Sequence, residues 1–129
     1  MKIRLGHGLA YVEATLSFRG RNLRVGDVIL DTGSAGTIFS VDRLLEVGIV
    51  PEGGDALQRI RGIGGTEFVF MKRLDHLSVG ELEVPSFEVE VGAMAYGFPG
   101  EGVLGLDFLL QSGALIDLRR LELHRASAA

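Results

Sequence analysis

The chain has 129 residues, of which 47% are hydrophobic and 23% are charged, a balance that supports one folded domain and argues against disorder. Its formal net charge of -4 argues against nucleic acid as the main partner, and the absence of cysteine excludes disulfides and thiolate metal sites. No apolar run approaches the roughly 20 residues that span a bilayer, and residues 1–8 lack the apolar core of a signal peptide. We therefore expect a single domain over 1–129 in the cytoplasm, with no membrane partner.

A pair of strands is predicted in the first quarter of the chain. Hydrophobic and polar residues alternate over 12–18, which indicates a strand with one buried face. A turn signal at 19–22 leads into a returning strand over 23–30. The last three residues of that strand are all apolar, so we expect them to be buried on both faces. Small and polar residues at 31–36 then interrupt the apolar run.

A short helix is predicted after the apolar run resumes at 38–39. Ser40 is a candidate N-cap for a helix over 41–47, and Gly48 is a candidate stop. The segment 51–55 contains proline, glycine and acidic residues, and is predicted to be a surface loop.

A glycine-rich hairpin is predicted near the middle of the chain. Its tip lies in 61–66, where three glycines stand between apolar residues, and Phe68 and Phe70 alternate with their neighbours along its outgoing arm. A further strand is predicted at 87–91, where apolar residues alternate with glutamates.

The last part of the chain is predicted to contain a short apolar segment, a helix and a final strand. The segment 103–105 ends in glycine, the helix covers 106–111 with Gly113 as its stop, and 115–123 forms a strand or a tight hairpin. Several short strands separated by turn signals predict an all-β domain that is closed or nearly closed.

The tripeptide Asp31-Thr32-Gly33 directly follows a strand that is predicted to be buried. A carboxylate in apolar surroundings needs a reason, because an unpaired buried charge is costly. An Asx turn is one such reason, since aspartate begins many turns and Thr-Gly is common in them. A catalytic carboxylate is the other.

Three segments in the same order favour the catalytic interpretation. The sequence Leu-Asp-Thr-Gly-Ser-Ala-Gly-Thr stands at 30–37, Gly-Ile-Gly-Gly at 62–65, and Gly-Val-Leu-Gly-Leu-Asp-Phe-Leu at 102–109. Together they resemble the catalytic loop, the flap tip and the apolar-apolar-Gly segment of the retropepsin-like aspartic peptidases, a group that includes the retroviral proteases. The resemblance covers roughly 10–123, and implies a single-lobe β-barrel with a glycine-rich flap hairpin and one or two short helices.

The resemblance also implies a function and a set of site residues. A retropepsin-like chain is active as a homodimer, and hydrolyses peptide bonds of a polypeptide substrate with water held between two aspartates, one from each copy. No cofactor and no metal are implied. The implied catalytic residues are Asp31, Thr32 and Gly33, and the implied substrate-binding residues are Ser34, Ile63, Gly64 and Gly65.

Two positions depart from the retroviral pattern. Retroviral enzymes pair an aspartate shortly after the catalytic triplet with an arginine in the third segment, whereas this chain has Ala35 and Leu106 at those places. The run Gly105-Leu106-Asp107 and the helix over 41–47 are more similar to the cellular DNA-damage-inducible branch and its bacterial relatives.

Other functions remain open at this point. A non-catalytic module with the retropepsin fold, serving dimerisation or peptide binding, is the main alternative, and a small-ligand β-barrel is a weaker one. The glycines at 62–65 lack the full spacing of a phosphate-binding loop. The three histidines show no metal-ligand spacing. We expect Asp107 to favour the start of its helix through the helix dipole; a supporting role at the site is the alternative. We expect Asp117 to be structural.

Overall fold

The computed structural model describes residues 1–62, 65–94 and 99–127. Within these ranges the chain forms ten strands, two α-helices and one turn of 3-10 helix (Leu45–Val47). The strands are β1 Arg4–Gly6, β2 Leu9–Phe18, β3 Arg21–Leu30, β4 Ile38–Ser40, β5 Leu57–Gly62, β6 Gly65–Val79, β7 Leu82–Gly92, β8 Gly102–Leu104, β9 Ala114–Asp117 and β10 Glu122–Arg125. The helices are α1 Val41–Leu44 and α2 Leu106–Ser112.

Eight of these strands form one sheet that closes on itself. Their order is β1-β2-β3-β8-β4-β7-β6-β5, and β2 also pairs with β6. The additional pairing makes a ring of β2, β3, β8, β4, β7 and β6, while β1 and β5 lie outside the ring. The remaining strands, β9 and β10, form a separate hairpin, which is one of the two forms predicted for 115–123. The predicted all-β class with short helices is confirmed, and its closure takes the form of this ring.

The sheet contains two parallel pairings, and one of them brings a distant segment next to the strand that precedes Asp31. Strand β3 pairs in parallel with β8, with Ile29 opposite Val103, and β4 pairs in parallel with β7. Parallel strands are usually covered on both faces, and Val28 and Ile29 are buried as predicted, whereas Leu30 is only half-buried. The apolar run at the end of β3 therefore reflects its central place in the sheet.

The alternation in β2 largely predicts its buried face. Val12, Ala14 and Leu16 are buried, and Glu13 and Thr15 are more exposed. Ser17 is an exception, because only 6% of it is exposed. Its hydroxyl donates to Asn22 Oδ1 at 2.6 Å and lies 3.0 Å from His76 Nε2, so the buried oxygen has polar partners.

The two helical segments end where glycine was predicted to stop them. Helix α1 and the 3-10 turn together cover the predicted 41–47, and Gly48 follows with a φ of 76°. Helix α2 ends before Gly113, whose φ is 68°. Glycine adopts this left-handed conformation without steric cost. Ser40 occupies the N-cap position, but its side chain makes no capping hydrogen bond.

The hydrophobic core has two parts on opposite sides of the strands that lead to the site. The larger part contains the fully buried Leu16, Phe39, Leu77 and Phe108 among others, and the Phe87 ring meets the Phe108 ring edge to face at 5.7 Å. The smaller part, which we call the cleft cluster, consists of Tyr11, Ile29, Ile38, Val69, Met94 and Val103.

Candidate active site

Asp31 lies at the point where β3 leaves the sheet. Its backbone N–H donates to the carbonyl of Leu104 at 3.0 Å, which continues the parallel pairing of β3 with β8 by one residue. A main-chain hydrogen bond to β8, a strand from the last third of the sequence, therefore fixes the position of Asp31.

The carboxylate of Asp31 is exposed and held by its own loop. Its Oδ1 accepts a hydrogen bond from the Gly33 N–H at 2.9 Å. A Cβ at position 33 would stand only 3.2 Å from that oxygen, so glycine permits the close approach. Thr32 is also exposed. The loop thus presents one solvent-accessible carboxylate whose orientation is set by a backbone donor.

Ser34 stabilises the turn in this single chain. Its N–H donates to the Asp31 carbonyl at 3.2 Å, and its hydroxyl donates to the Gly36 carbonyl at 2.7 Å. These bonds are what a turn residue makes.

The segment after β8 supports the loop from behind. The Leu106 N–H donates to the Ser34 carbonyl at 2.7 Å. A Cβ on Gly105 would lie 2.1 Å from the Gly36 carbonyl oxygen and 2.9 Å from that of Ser34. The two backbones therefore touch with no room for a side chain, and this contact accounts for the glycine that ends the third sequence segment.

Asp107 makes a contact with the Asp31 loop in addition to the one expected in its helix. Its Oδ1 accepts the Phe108 N–H at 2.8 Å, which agrees with the expected place in the first turn of α2. The same oxygen also accepts the hydroxyl of the buried Thr37 at 2.8 Å. The sequence places Asp107 directly after the Gly-Leu of the third segment and Thr37 at the end of the first segment, but it does not indicate that the two side chains meet.

The glycine-rich segment forms a hairpin that projects beyond the ring. Strands β5 and β6 pair from Leu57 opposite Phe70 to Gly62 opposite Gly65. Strand β6 pairs with β7 only from Phe70 onward, so the pairings described for 65–69 are with β5 alone. Gly65 begins β6, whereas Ile63 and Gly64 lie outside the described residues.

One side of this hairpin packs onto the strands of the site. Val69 of β6 is buried in the cleft cluster together with Ile29, which stands two residues before Asp31, and Val103 of β8. Phe68 points the other way and is 65% exposed. The alternation of Phe68 and Phe70 along this arm therefore does not correspond to one buried face, because at Phe68 the hairpin has left the ring.

An ion-pair cluster fixes the loop that leads into the hairpin. Lys72 is 4% exposed, and its Nζ lies 2.6 Å from Glu52 Oε1 and 2.8 Å from Asp55 Oδ2. Arg19 reaches the same Glu52 oxygen at 2.9 Å. The predicted surface loop at 51–55 is thus tied to β6.

The charges in this cluster stabilise one another. Hydrogen bonds from Lys72 and Arg19 lower the pKa of Glu52, and bonds from Lys72 and the Glu52 N–H lower the pKa of Asp55. Burial lowers the pKa of Lys72, but its hydrogen bonds to the two carboxylates outweigh this effect and the pKa is raised overall.

The other polar candidates have local partners. His76 lies beside Ser17, and His124 lies 3.5 Å from Glu122. Asp117 Oδ1 accepts the Arg120 N–H within the turn of the C-terminal hairpin.

Across 1–62, 65–94 and 99–127 no group of three or more metal-ligating side chains is found. No helix in those ranges has the length and hydropathy to cross a bilayer.

Comparison with known proteins identifies the class. A family model described as "Aspartyl protease" matches residues 14–108, a span that contains the Asp31 loop, the hairpin and the start of α2. No curated protein matches the chain. Because the family match covers well over half of the sequence, the chain belongs to the aspartyl protease family.

Proposed function

We propose that the protein is an aspartic endopeptidase that acts as a homodimer, with Asp31 of each copy as its catalytic residue. One observation carries the proposal: an exposed carboxylate on an Asp-Thr-Gly loop, oriented by the Gly33 N–H and supported from behind by 104–106. The family match adds the expectation of peptide-bond hydrolysis.

The chemistry requires a second carboxylate. Two aspartates that share one proton can activate a water, one as general base and the other as the acid that polarises the carbonyl. Like charges about 3 Å apart do not both ionise, so the pair titrates in two separate steps, a behaviour for which aspartic proteases are the standard example. The sequence contains one Asp-Thr-Gly, and a two-fold symmetric dimer would supply the other.

The hairpin is proposed as the flap over a bound peptide. It projects beyond the ring, and its Val69 packs with Ile29 in the cleft cluster. Main-chain groups of Ile63, Gly64 and Gly65 would pair with an extended substrate, as in strand addition. Glycines at such a tip allow the chain to move when substrate enters or leaves.

The remaining site residues are proposed to serve the dimer and the substrate. Thr32 is exposed beside Asp31, where its hydroxyl can bond to the second copy. Ser34 would turn its hydroxyl from Gly36 to substrate on binding. Ala35 and Leu106 cannot form the ion pair of the retroviral enzymes. Their presence favours assignment of the chain to the cellular DNA-damage-inducible and bacterial branch.

Replacement of Asp31 by asparagine tests the assignment. Asparagine keeps the size of the side chain but cannot act as general base, so we expect peptide cleavage to fall at least about 100-fold. A peptide library assayed from acid to neutral pH provides the measurement. Asp42→Asn is the matched control, because Asp42 is an exposed carboxylate in α1 and not part of the Asp-Thr-Gly loop.

The same preparation distinguishes the main alternative. A peptidase with shared aspartates must dimerise, so sedimentation of the wild type at micromolar concentration should detect dimer, and Asp31→Asn should preserve it. Full activity in Asp31→Asn would refute the catalytic assignment. A wild type that stays monomeric and cleaves no library peptide would favour a non-catalytic module.

A further inference from the structure

A buried hydroxyl joins the loop of Asp31 to the start of α2. Thr37, at the end of the loop, is 1% exposed. Its Oγ1 donates to Asp107 Oδ1 at 2.8 Å and accepts the Gly105 N–H at 3.0 Å. Both hydrogen-bonding directions of the hydroxyl are therefore used.

The two partners of Thr37 flank the backbone that supports Asp31. Leu104 accepts the Asp31 N–H, and Leu106 donates to Ser34. Gly105, between them, packs against the Gly36 carbonyl with no room for a Cβ. Thr37 bonds to this segment at Gly105 and, through Asp107, again two residues later, so a single side chain links the loop to two points of its support.

Stabilisation of α2 alone does not account for both hydrogen bonds that the Asp107 carboxylate accepts. An acidic residue in the first turn would interact with the helix through Phe108 N–H and the dipole. The bond from Thr37 adds nothing to that interaction. It links α2 to a residue 70 positions earlier in the chain, in the segment that carries the candidate carboxylate.

We propose that Asp107 and Thr37 are positioning residues for the Asp31 loop, which they hold in its reactive geometry through the Thr37 hydroxyl. The proposal rests on the proposed aspartic peptidase activity. Neither side chain is a catalytic residue, because each acts through the backbone of Gly105 and the residues beside it. A misplacement of about 1 Å at a reacting group can cost roughly 100-fold in rate.

Two pairs of variants separate the hydrogen bonds from the size and charge of the side chains. Thr37→Val removes the hydroxyl at nearly constant volume, whereas Thr37→Ser keeps it. Asp107→Ala removes the acceptor, whereas Asp107→Asn keeps an oxygen for both donors. We expect kcat to fall about 10- to 100-fold in Thr37→Val and Asp107→Ala with KM changed less than about threefold. Thr37→Ser and Asp107→Asn should retain kcat within about threefold.

The double variant tests whether the two residues act as one unit. If they share one hydrogen bond, Thr37→Val combined with Asp107→Ala should lower kcat little more than either change alone. Independent effects that multiply would contradict the proposal. So would an unchanged kcat in Thr37→Val, because a helix-stabilising role of Asp107 does not involve Thr37.

Amide hydrogen exchange provides a readout that does not depend on activity. The Asp31 and Leu106 amides report on the contact between the loop and its support, and the Gly113 amide, which donates to Leu110, reports on the end of α2. Thr37→Val and Asp107→Ala should accelerate exchange at Asp31 and Leu106 and leave Gly113 near the wild-type rate. Acceleration at Gly113 alone would overturn the proposal in favour of a purely helical role.

The two hypotheses fail in different ways. If the wild type and Asp31→Asn are equally inactive, the peptidase assignment fails, and the exchange rates still decide whether Thr37 and Asp107 hold the loop. If the wild type cleaves peptides while Thr37→Val and Asp107→Ala keep full kcat and wild-type exchange, only the positioning role is refuted. Should Thr37→Val fail to fold, the partly exposed Asp107 gives the second test.

Discussion

Gly105 is the residue at which two backbones meet most closely behind the site. Its φ is -92°, which any residue adopts, so a special conformation is not the reason for the glycine. The reason is space, because a Cβ would stand 2.1 Å from the Gly36 carbonyl oxygen. The atom that a Cβ would meet is backbone and not the end of a flexible side chain, so the contact cannot be relieved by a change of rotamer.

Gly105→Ala is therefore expected to be costly. Overpacking at a rigid contact typically lowers the free energy of unfolding by about 1–3 kcal/mol and sometimes by more. Denaturant unfolding measures this loss, and the peptide cleavage assay should show a parallel loss of activity because the loop must shift. Gly53→Ala is the control, since nothing lies within 4 Å of a Cβ at that position. Equal stability of the two variants would contradict the close contact.

At the residue scale, the sequence predicts what depends on neighbours in the chain. The end of a buried strand followed by Asp-Thr-Gly locates the candidate carboxylate, and glycines at 48 and 113 locate the helix ends. The bond between Thr37 and Asp107 was not predictable in this way. It exists only because β3 and β8 lie side by side, and local patterns do not reveal which strands are neighbours.

The hairpin of β5 and β6 is tied to the loop that precedes it by a buried lysine. Lys72 stands in β6 near the base of the hairpin, and its two carboxylate partners lie in the loop that leads into β5. A lysine in an alternating strand is ordinarily expected on the solvent face. Here its stem is buried and its charge is neutralised by Glu52 and Asp55, an arrangement that the sequence did not predict.

The cluster predicts a specific dependence of stability on pH. Since the folded pKa values of Glu52 and Asp55 are lowered, their contribution is present above the ordinary values of 4.5 and 3.8 and is lost as pH falls through the lower folded values. The raised pKa of Lys72 keeps its contribution until pH rises above 10.5. The cluster is therefore intact across the neutral range.

Lys72→Met tests this dependence. The variant should unfold at a lower temperature than the wild type at pH 7, and the difference should shrink as pH falls below about 4, where the carboxylates of both proteins become protonated. Thermal unfolding between pH 2 and 7 provides the measurement. Lys2→Met, at an exposed position, is the control. A difference that stays constant over the whole range would argue against the ion-pair cluster.

The ring of six strands determines the shape of the whole molecule. It closes where β2 pairs with β6, with Leu16 opposite Leu77, and both side chains are almost fully buried. The all-β class and most strand positions could be predicted from alternation and turn residues. The pairing of β2 with β6 could not, because alternation predicts which face of a strand is buried but not which strand pairs with it.

Leu77→Ala should weaken this closure. Truncation of a buried leucine typically lowers the free energy of unfolding by about 2–5 kcal/mol, through lost burial and the remaining cavity. Leu57→Ala, at a position that is 72% exposed, should change it by less than about 0.5 kcal/mol. Urea unfolding at one fixed protomer concentration avoids a contribution from dimerisation. Equal losses in both variants would contradict the burial of Leu77.

The parallel pairing of β3 with β8 has a consequence for synthesis of the protein. During translation the Asp31 tripeptide is made before the strand that holds it, which follows about seventy residues later. Contacts between such distant segments form slowly, because closing the long intervening loop costs conformational entropy before the contacts can compensate for it. A polypeptide that stops before β8 therefore carries the tripeptide without the backbone partner that fixes its geometry, and the candidate site is complete only once residues 102–106 have been made.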